Sequence, residues 1–325
     1  MTISAKIIKD SVSHTGQRIT TMEMRYPRFI HAEAKTHRVM SIGGEEYTLT
    51  QDAGFMSDPS LSRNASSSRA IPVEKMIQSV LDDPAMPIYW GKNQPGMQAK
   101  VELEGEEKRA AMRAWLDGMN QAVQCAQRML ALGVHKQIAN RVIEPWTHIT
   151  VVVTATEWNN FLHLRDHEDA QPEIAELARC VRVELELSDP VSLKPGEWHL
   201  PYINLTDWAL ADEFCRKGRI TRDMPSHAEL CEVLRKLSTA RCARVSYLTH
   251  DGKAPDIEAD LALYERLVGS SPLHASPTEH QATPDDQYHV MGGGLEQWQN
   301  PELHGNLHGW VQHRKLLPGE NVTTR

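Results

Sequence analysis

The sequence predicts a mixed α/β fold, with helices laid on a central sheet. Two early stretches alternate with period two, a β-branched run stands mid-chain, and helical patterns fall between and after them. Ala5–Asp10 and Arg18–Tyr26 supply the alternation and predict two strands. Pro27 to Met40 carries Phe29, Ile30, Ala34 and Val39 and predicts a helix with Pro27 in its first turn. Pro72 opens another helix through Leu81. Glu102 to Leu132, rich in Ala, Leu, Met, Glu and Arg, predicts the longest helix, with Gly133 as its C-terminal cap. Thr147 to Thr154 is the strongest strand pattern in the chain. Pro172 to Leu187 predicts a helix. Ser226 and Glu229 form a capping box for a helix running to about Arg244, and Asp256 caps a last one ending near Gly269. Gly43–Pro59 and Pro284–Gly305 read as loops or lids. There is no fixed-period repeat and no clean linker, so residues 1–325 read as one intertwined unit, with a helical appendage from about Asp189 to Pro225.

Composition excludes several classes. A length of 325 residues can bury a full core, and 40% hydrophobic with 24% charged residues is ordinary for a soluble enzyme. The net charge of -8 opposes bulk binding to nucleic acid or anionic membrane but leaves room for a local basic pocket. No apolar run approaches the ~18 residues of a membrane span, and Met1–Lys6 has no apolar signal core, which predicts a cytoplasmic protein. The five cysteines, Cys125, Cys180, Cys215, Cys231 and Cys242, are scattered and make no C-x-x-C pair. Neither a zinc site nor a disulfide framework is predicted, and Cys125, Cys180 and Cys231 read as helix core. No metal-binding spacing joins the histidines, so no metal is predicted.

Residues able to carry chemistry fall in three groups. Thr36-His37-Arg38-Val39 and Ser62 to Arg69 combine imidazole, guanidinium, amide and small hydroxyls, a set suited to gripping anions. Alone, such a Ser/Arg-rich run reads as a solvated loop. Arg141 stands just before the strong strand, where a guanidinium can meet a ligand at the sheet edge or make a surface salt bridge. Asn160, His163 and His167 are predicted to share one helix face, with Arg165 on another. The third group is Ala243-Arg244-Val245-Ser246-Tyr247, followed by Leu273-His274-Ala275-Ser276-Pro277-Thr278-Glu279-His280.

Together these segments resemble the flavin-dependent thymidylate synthases, whose signature reads R-H-R-x-x-S-x-N-E-x-S-x-R. His37, Arg38, Ser62, Asn64, Ser67 and Arg69 fit; Thr36 replaces Arg, Ala65 replaces Glu, and Ile42 to Leu61 is inserted. The second group resembles the family's A-R-x-x-L-P and N-x-R-x-x-x-N-F-L-x-L-R segments, then A-Q-x-E-I. Arg141, Pro145, Asn160, Phe161, Leu162, Leu164, Arg165, Ala170, Gln171, Glu173 and Ile174 are kept. Glu144 stands for Leu, Thr154 for Asn and Thr156 for Arg. The third group resembles A-R-V-S-Y and G-H-x-[ST]-P-F-E-H, which open the family's chain but here follow the signature. The resemblance thus implies a circularly permuted, phage-like member. Residues 1–188 form the signature half, 189–225 a helical or loop insertion, 226–283 the family's N-terminal part, and 284–325 a tail.

The resemblance implies C5 methylation of a pyrimidine deoxynucleotide, dUMP to dTMP, with FAD, NADPH and 5,10-methylenetetrahydrofolate. It also implies a homotetramer with FAD where subunits meet, in the host cytoplasm if phage-encoded. Cofactor chemistry without a protein nucleophile suits a chain lacking an activated cysteine. The resemblance assigns Glu33, Ser67, Ser68, Arg69, Arg141 and Arg165 to the nucleotide, with Arg165 favouring the N3-deprotonated base. It assigns Thr36, His37, Arg38, Val39, Asn64, Thr154, Thr156, Asn160, His274, Ser276 and Glu279 to the flavin. Glu33 stands for a family Gln. That change, with Thr36 and Ala65, leaves open C5 hydroxymethylation or a different pyrimidine nucleotide. A non-catalytic nucleotide- or flavin-binding protein is the remaining alternative.

Overall fold

In the computed structural model the described residues are 3–31, 61–65, 68–96, 98–217, 224–245, 256–270, 273–289 and 296–320, with 61–65 and 296 described by backbone alone. The strands are β1 (Ser4–Ser13), β2 (Arg18–Pro27), β3 (Leu61–Ala65), β4 (His148–Ala155), β5 (Val191–Leu193), β6 (Ala282–Pro284), β7 (Gln287–His289), β8 (Glu296–Trp298) and β9 (Trp310–Gln312). The helices are α1 (Val73–Asp82), α2 (Gly105–Ala131), α3 (Lys136–Ala139), α4 (Asn159–Arg165), α5 (Pro172–Leu187), α6 (Leu205–Lys217), α7 (His227–Arg244) and α8 (Ile257–Val268).

A five-stranded sheet in the order β3-β4-β2-β1-β5 forms the centre. Its pairings are antiparallel except β1 with β5. Register sets the two faces, because alternate side chains point to opposite sides. Met22 faces Val153 and Met24 faces Val151 across β2–β4. These residues, with Tyr26 and Ile149, bury against Phe161 of α4 and Ile174, Leu177 and Val181 of α5. The opposite face mixes polar side chains with the buried Ile19 and Val152. There Thr21 pairs with Thr154, under cover from the 199–202 segment and the 3₁₀ turn Ser276–Glu279. A second core gathers α1, α2 and the turn Asn140–Trp146 through Met76, Val80, Val123 and Ile143.

Local signals hold where the helix carries its own punctuation. α5 spans Pro172–Leu187 as predicted. Ser226 and Glu229 close their capping box, and Asp256 accepts from the Ala259 N–H. Gly133 has φ 75°, a left-handed position that suits glycine. Three expectations are corrected. α4 stops at Arg165, since Asp166 leaves helical geometry at φ -85°, ψ 61°; His167 therefore lies beyond the helix that carries Asn160 and His163. The 189–225 appendage begins with β5, which completes the central sheet. The loop expected at 284–305 contains the β7–β8 hairpin, with Gln287 opposite Trp298. The helix expected over 27–40 is described only at its start, as the 3₁₀ turn Arg28–Ile30; the rest, like the 43–59 loop, lies outside the described residues.

Candidate nucleotide and cofactor sites

Glu33, Thr36, His37, Arg38, Val39 and Ser67 lie outside the described residues. Asn64 lies on β3, in register with Val152 of β4. The remaining candidates divide between the two ends of β4.

At its N-terminal end the turn Asn140–Trp146 meets the chain leaving β3. Ser68 is buried and donates to Glu144 Oε1. Arg141 Nη1 donates to the same carboxylate at 3.0 and 3.2 Å. Asn140, fully buried, pins this region by donating to the Ser68 and Ile71 carbonyls at 2.7 and 2.9 Å. Arg69 follows, exposed. A further guanidinium, Arg28, reaches Thr147 Oγ1 at 3.2 Å. Burial pulls its pKa down, while the nearby Glu144 carboxylate opposes this. Arg28 carries no separate signal in the sequence; only the register of β2 on β4 brings it here.

Beyond the C-terminal end of β4 opens a cleft of about 840 Å³, whose lining includes Thr156, Trp158, Asn159, His163, His167 and Arg182. Its size is that of small-molecule sites, ~300–1,000 Å³. The wall is charged but largely self-compensated: Arg182 pairs with Asp166, and Arg18 donates to Asp10 at 2.6 and 3.0 Å. Trp158 packs into the core and its Nε1 is a buried donor without a partner among the described residues; the polar side chains that the wall exposes include Asn159 and His163. Asn160 is half-buried on the first turn of α4. Arg165 is 8% exposed, one turn after the buried Phe161 and so on its inward side. The C-terminal segment reaches this rim, where the His308 backbone N–H donates to Thr156 Oγ1 at 3.2 Å.

Thr154 differs from its expected role. Its hydroxyl is fully buried and bonded to Thr21 Oγ1 at 2.6 Å and His280 Nδ1 at 2.9 Å. The chain of bonds continues from Thr21 to His199 Nε2 at 2.8 Å and from His199 Nδ1 to Ser11 at 3.0 Å. Burial drives His199 well below the usual imidazole range and His280 down to about 3. Both rings are therefore neutral, and Thr154 acts inside the sheet. His274 and Ser276 are exposed beside this region. Glu279 is half-buried and paired with Arg314 of the tail, and Gln312 donates to its carbonyl at 3.1 Å. The Ser276–His280 part of the third motif group thus packs against β3 and β4 although it lies far along the chain. Sequence reasoning found Glu279 through its motif. It missed His199, whose role depends on a fold that places it over β2.

Three of the cysteines are held as unactivated thiols. Burial raises the thiol pKa of Cys180, Cys231 and Cys242. Among the described residues no three potential metal ligands converge, and no helix is long and apolar enough to cross a membrane.

Fold and site define an α/β enzyme with a Ser68–Arg141–Glu144 cluster at one end of β4 and a cleft beyond the other. Residues 13–191, more than half of the chain, match the family described as thymidylate synthase complementing protein, and the chain belongs to that family. It is a flavin-dependent thymidylate synthase-like enzyme, a transferase of nucleotide biosynthesis. Solved structures of the UMP/dUMP methylase PolB from Streptomyces cacaoi, bound with 5-Br dUMP and with 5-Br UMP, are similar at 15% identity and a TM-score of 0.41. The match covers 56% of this chain and 89% and 88% of theirs. No curated protein sequence matches the chain significantly.

Proposed function

We propose that the protein methylates C5 of a pyrimidine deoxynucleotide, converting dUMP to dTMP with methylenetetrahydrofolate and NADPH. Family membership supports the reaction class. The observation that carries the assignment to this chain is the convergence of Ser68 and Arg141 beside the exposed Arg69 at one end of β4. A guanidinium with a buried hydroxyl is a donor set for phosphate oxygens.

FAD fits the other end of β4. Thr156, Asn159 and His163 line the cleft with polar side chains, and Asn160 stands beside it on α4. Ser276, Glu279 and His274 would hold the flavin from the 3₁₀ turn, joined by His37, Arg38 and Asn64 of the signature. When bound, the flavin supplies the hydride that completes the methyl group. The chain's own work is positioning and electrostatics. Arg165, held with little exposure, is a fixed cation that favours the N3-deprotonated base and so makes C5 more nucleophilic.

β4 has eight residues, which at ~3.4 Å each separates the two half-sites by roughly 25 Å. A homotetramer that apposes one end of β4 in one subunit with the other end in its neighbour would complete the site. The exchanged chain order is part of the same reading, supported by the Ser276–His280 segment packing beside β3 and β4. The carboxylate of Glu33 in place of an amide favours a second reading, a different pyrimidine base or a hydroxymethyl product.

The test is the absorption spectrum of the purified protein, followed by mass spectrometry of products from dUMP, methylenetetrahydrofolate and NADPH. A flavin spectrum and a product heavier by one methylene are expected. Colourless protein that gains no thermal stability from FAD would sink the cofactor assignment, and an unaltered dUMP peak with flavin bound would sink the substrate assignment.

A further inference from the structure

Glu144 stands where an anion is expected to bind. Its Oε1 accepts the Ser68 hydroxyl, and both its oxygens accept from Arg141 Nη1. A serine hydroxyl has one proton to donate. While Glu144 holds it, none remains for a ligand oxygen. Ser68 is fixed, since Asn140 clasps its carbonyl from a fully buried position. The Glu144 backbone is fixed as well, its carbonyl accepting from the Thr147 hydroxyl at 2.8 Å and the Thr147 N–H at 3.0 Å. The carboxylate is the part able to leave: its side chain is 20% exposed, and its partner Arg141 is 56% exposed with further N–H donors on the guanidinium.

We propose that Glu144 is a specificity-determining residue that occupies the phosphate seat formed by Ser68 and Arg141, so that a nucleotide phosphate gains the Ser68 hydroxyl only by displacing the Glu144 carboxylate. The proposal rests on the assignment of Ser68 and Arg141 to the nucleotide phosphate. Binding is then an exchange of one anion for another on the same donors. A dianionic phosphate monoester outcompetes the resident monoanion, because each guanidinium of the cluster attracts it more strongly. A neutral nucleoside has nothing to exchange, and a singly charged ligand gains little. The seat thereby selects for a terminal phosphate and lowers affinity for it at the same time. The sequence marks the position, since a leucine there, as in the resembling pattern, makes no such contact.

The test is calorimetric titration of the full chain and its E144Q and E144L variants with dUMP, deoxyuridine and inorganic phosphate. Both variants are expected to bind dUMP and phosphate about ten-fold or more tightly than the parent, the size of one charged hydrogen bond, with deoxyuridine affinity changed by less than about two-fold. Adding S68A to E144L is expected to remove much of that gain. A purely structural role for Glu144 predicts the opposite sign, weaker binding with a lower melting temperature. Equal dUMP affinity in all three proteins refutes the role of Glu144 and leaves the nucleotide reading standing, as does an equal gain for deoxyuridine. Tighter phosphate binding by E144L with no dUMP binding to any of the three refutes the nucleotide reading and retains the seat. No binding of either phosphate ligand to any of them overturns both.

Discussion

Lowering the pH from about 7 to about 5 should destabilise this protein through three buried histidines. His199 and His280 are fully buried and His313 is 5% exposed. Burial is the main cause of their depressed pKa values, helped by Lys9 and His280 at His199 and by Arg235 and Lys236 at His313. His280 and His313 are each pushed down to about 3. In the unfolded chain each titrates near ~6.5. The folded state therefore stays neutral while the unfolded state takes up protons. The stabilisation is complete above the unfolded value and is lost as pH falls toward the folded values. Each histidine contributes a slope of about 1.4 kcal/mol per pH unit below ~6.5, hence about 2 kcal/mol by pH ~5 and about 6 for the three as an upper bound. That is comparable with a typical total stability of ~5–15 kcal/mol. His148, which burial pushes down to about 4, adds to the same loss, while carboxylates, with ordinary values near ~4, contribute little in this window. The assay is urea unfolding followed by tryptophan fluorescence at both pH values. His313, stacked on Tyr264 at 6.2 Å, lies outside the Thr154 chain, so H313F should lose about 2 kcal/mol less across the same interval. Equal unfolding midpoints at the two pH values, or an H313F variant as acid-sensitive as the parent, would refute the reasoning.

Three further outcomes are expected. Arg241 bridges the buried Asp207, at 2.7 and 2.8 Å, and Asp260, at 3.0 Å. R241A should therefore cost about 3–5 kcal/mol by leaving the buried Asp207 carboxylate without its cation, while Asp260 keeps Arg244, and a melting temperature within a degree or so of the parent would show the network to be idle. R165A should lower kcat by ~10²-fold, and R165K should do little better because an ammonium lacks the planar fork; near-parental kcat in both, with flavin content unchanged, removes Arg165 from the chemistry. Replacing all five cysteines by serine should leave turnover intact, since burial holds Cys180, Cys231 and Cys242 as thiols; a folded, flavin-loaded variant without activity would show that a thiol takes part.

The sequence by itself determined the local architecture. α5 could be bounded because Pro172 fixes the first turn, and α7 because Ser226 and Glu229 satisfy each other's backbone donors within one turn. β1, β2 and β4 were legible because their alternation or β-branching is written in consecutive residues. The anion-binding candidates were legible as residue types, and so was their family. Tertiary structure decided what each of them faces. β5 is three residues long and exists by pairing with β1, far away in sequence, so its segment carried no signal of a strand. The Thr154 hydroxyl turns into the sheet because the register sets it opposite Thr21, beneath His199 and His280. Glu144 appeared in the sequence only as a departure from a pattern. Its hold on Ser68 and Arg141 arises where the chain leaving β3 meets the turn before β4. Propensity and capping act over a few residues, whereas burial, charge pairing and hydrogen-bond competition depend on groups that only folding brings within reach.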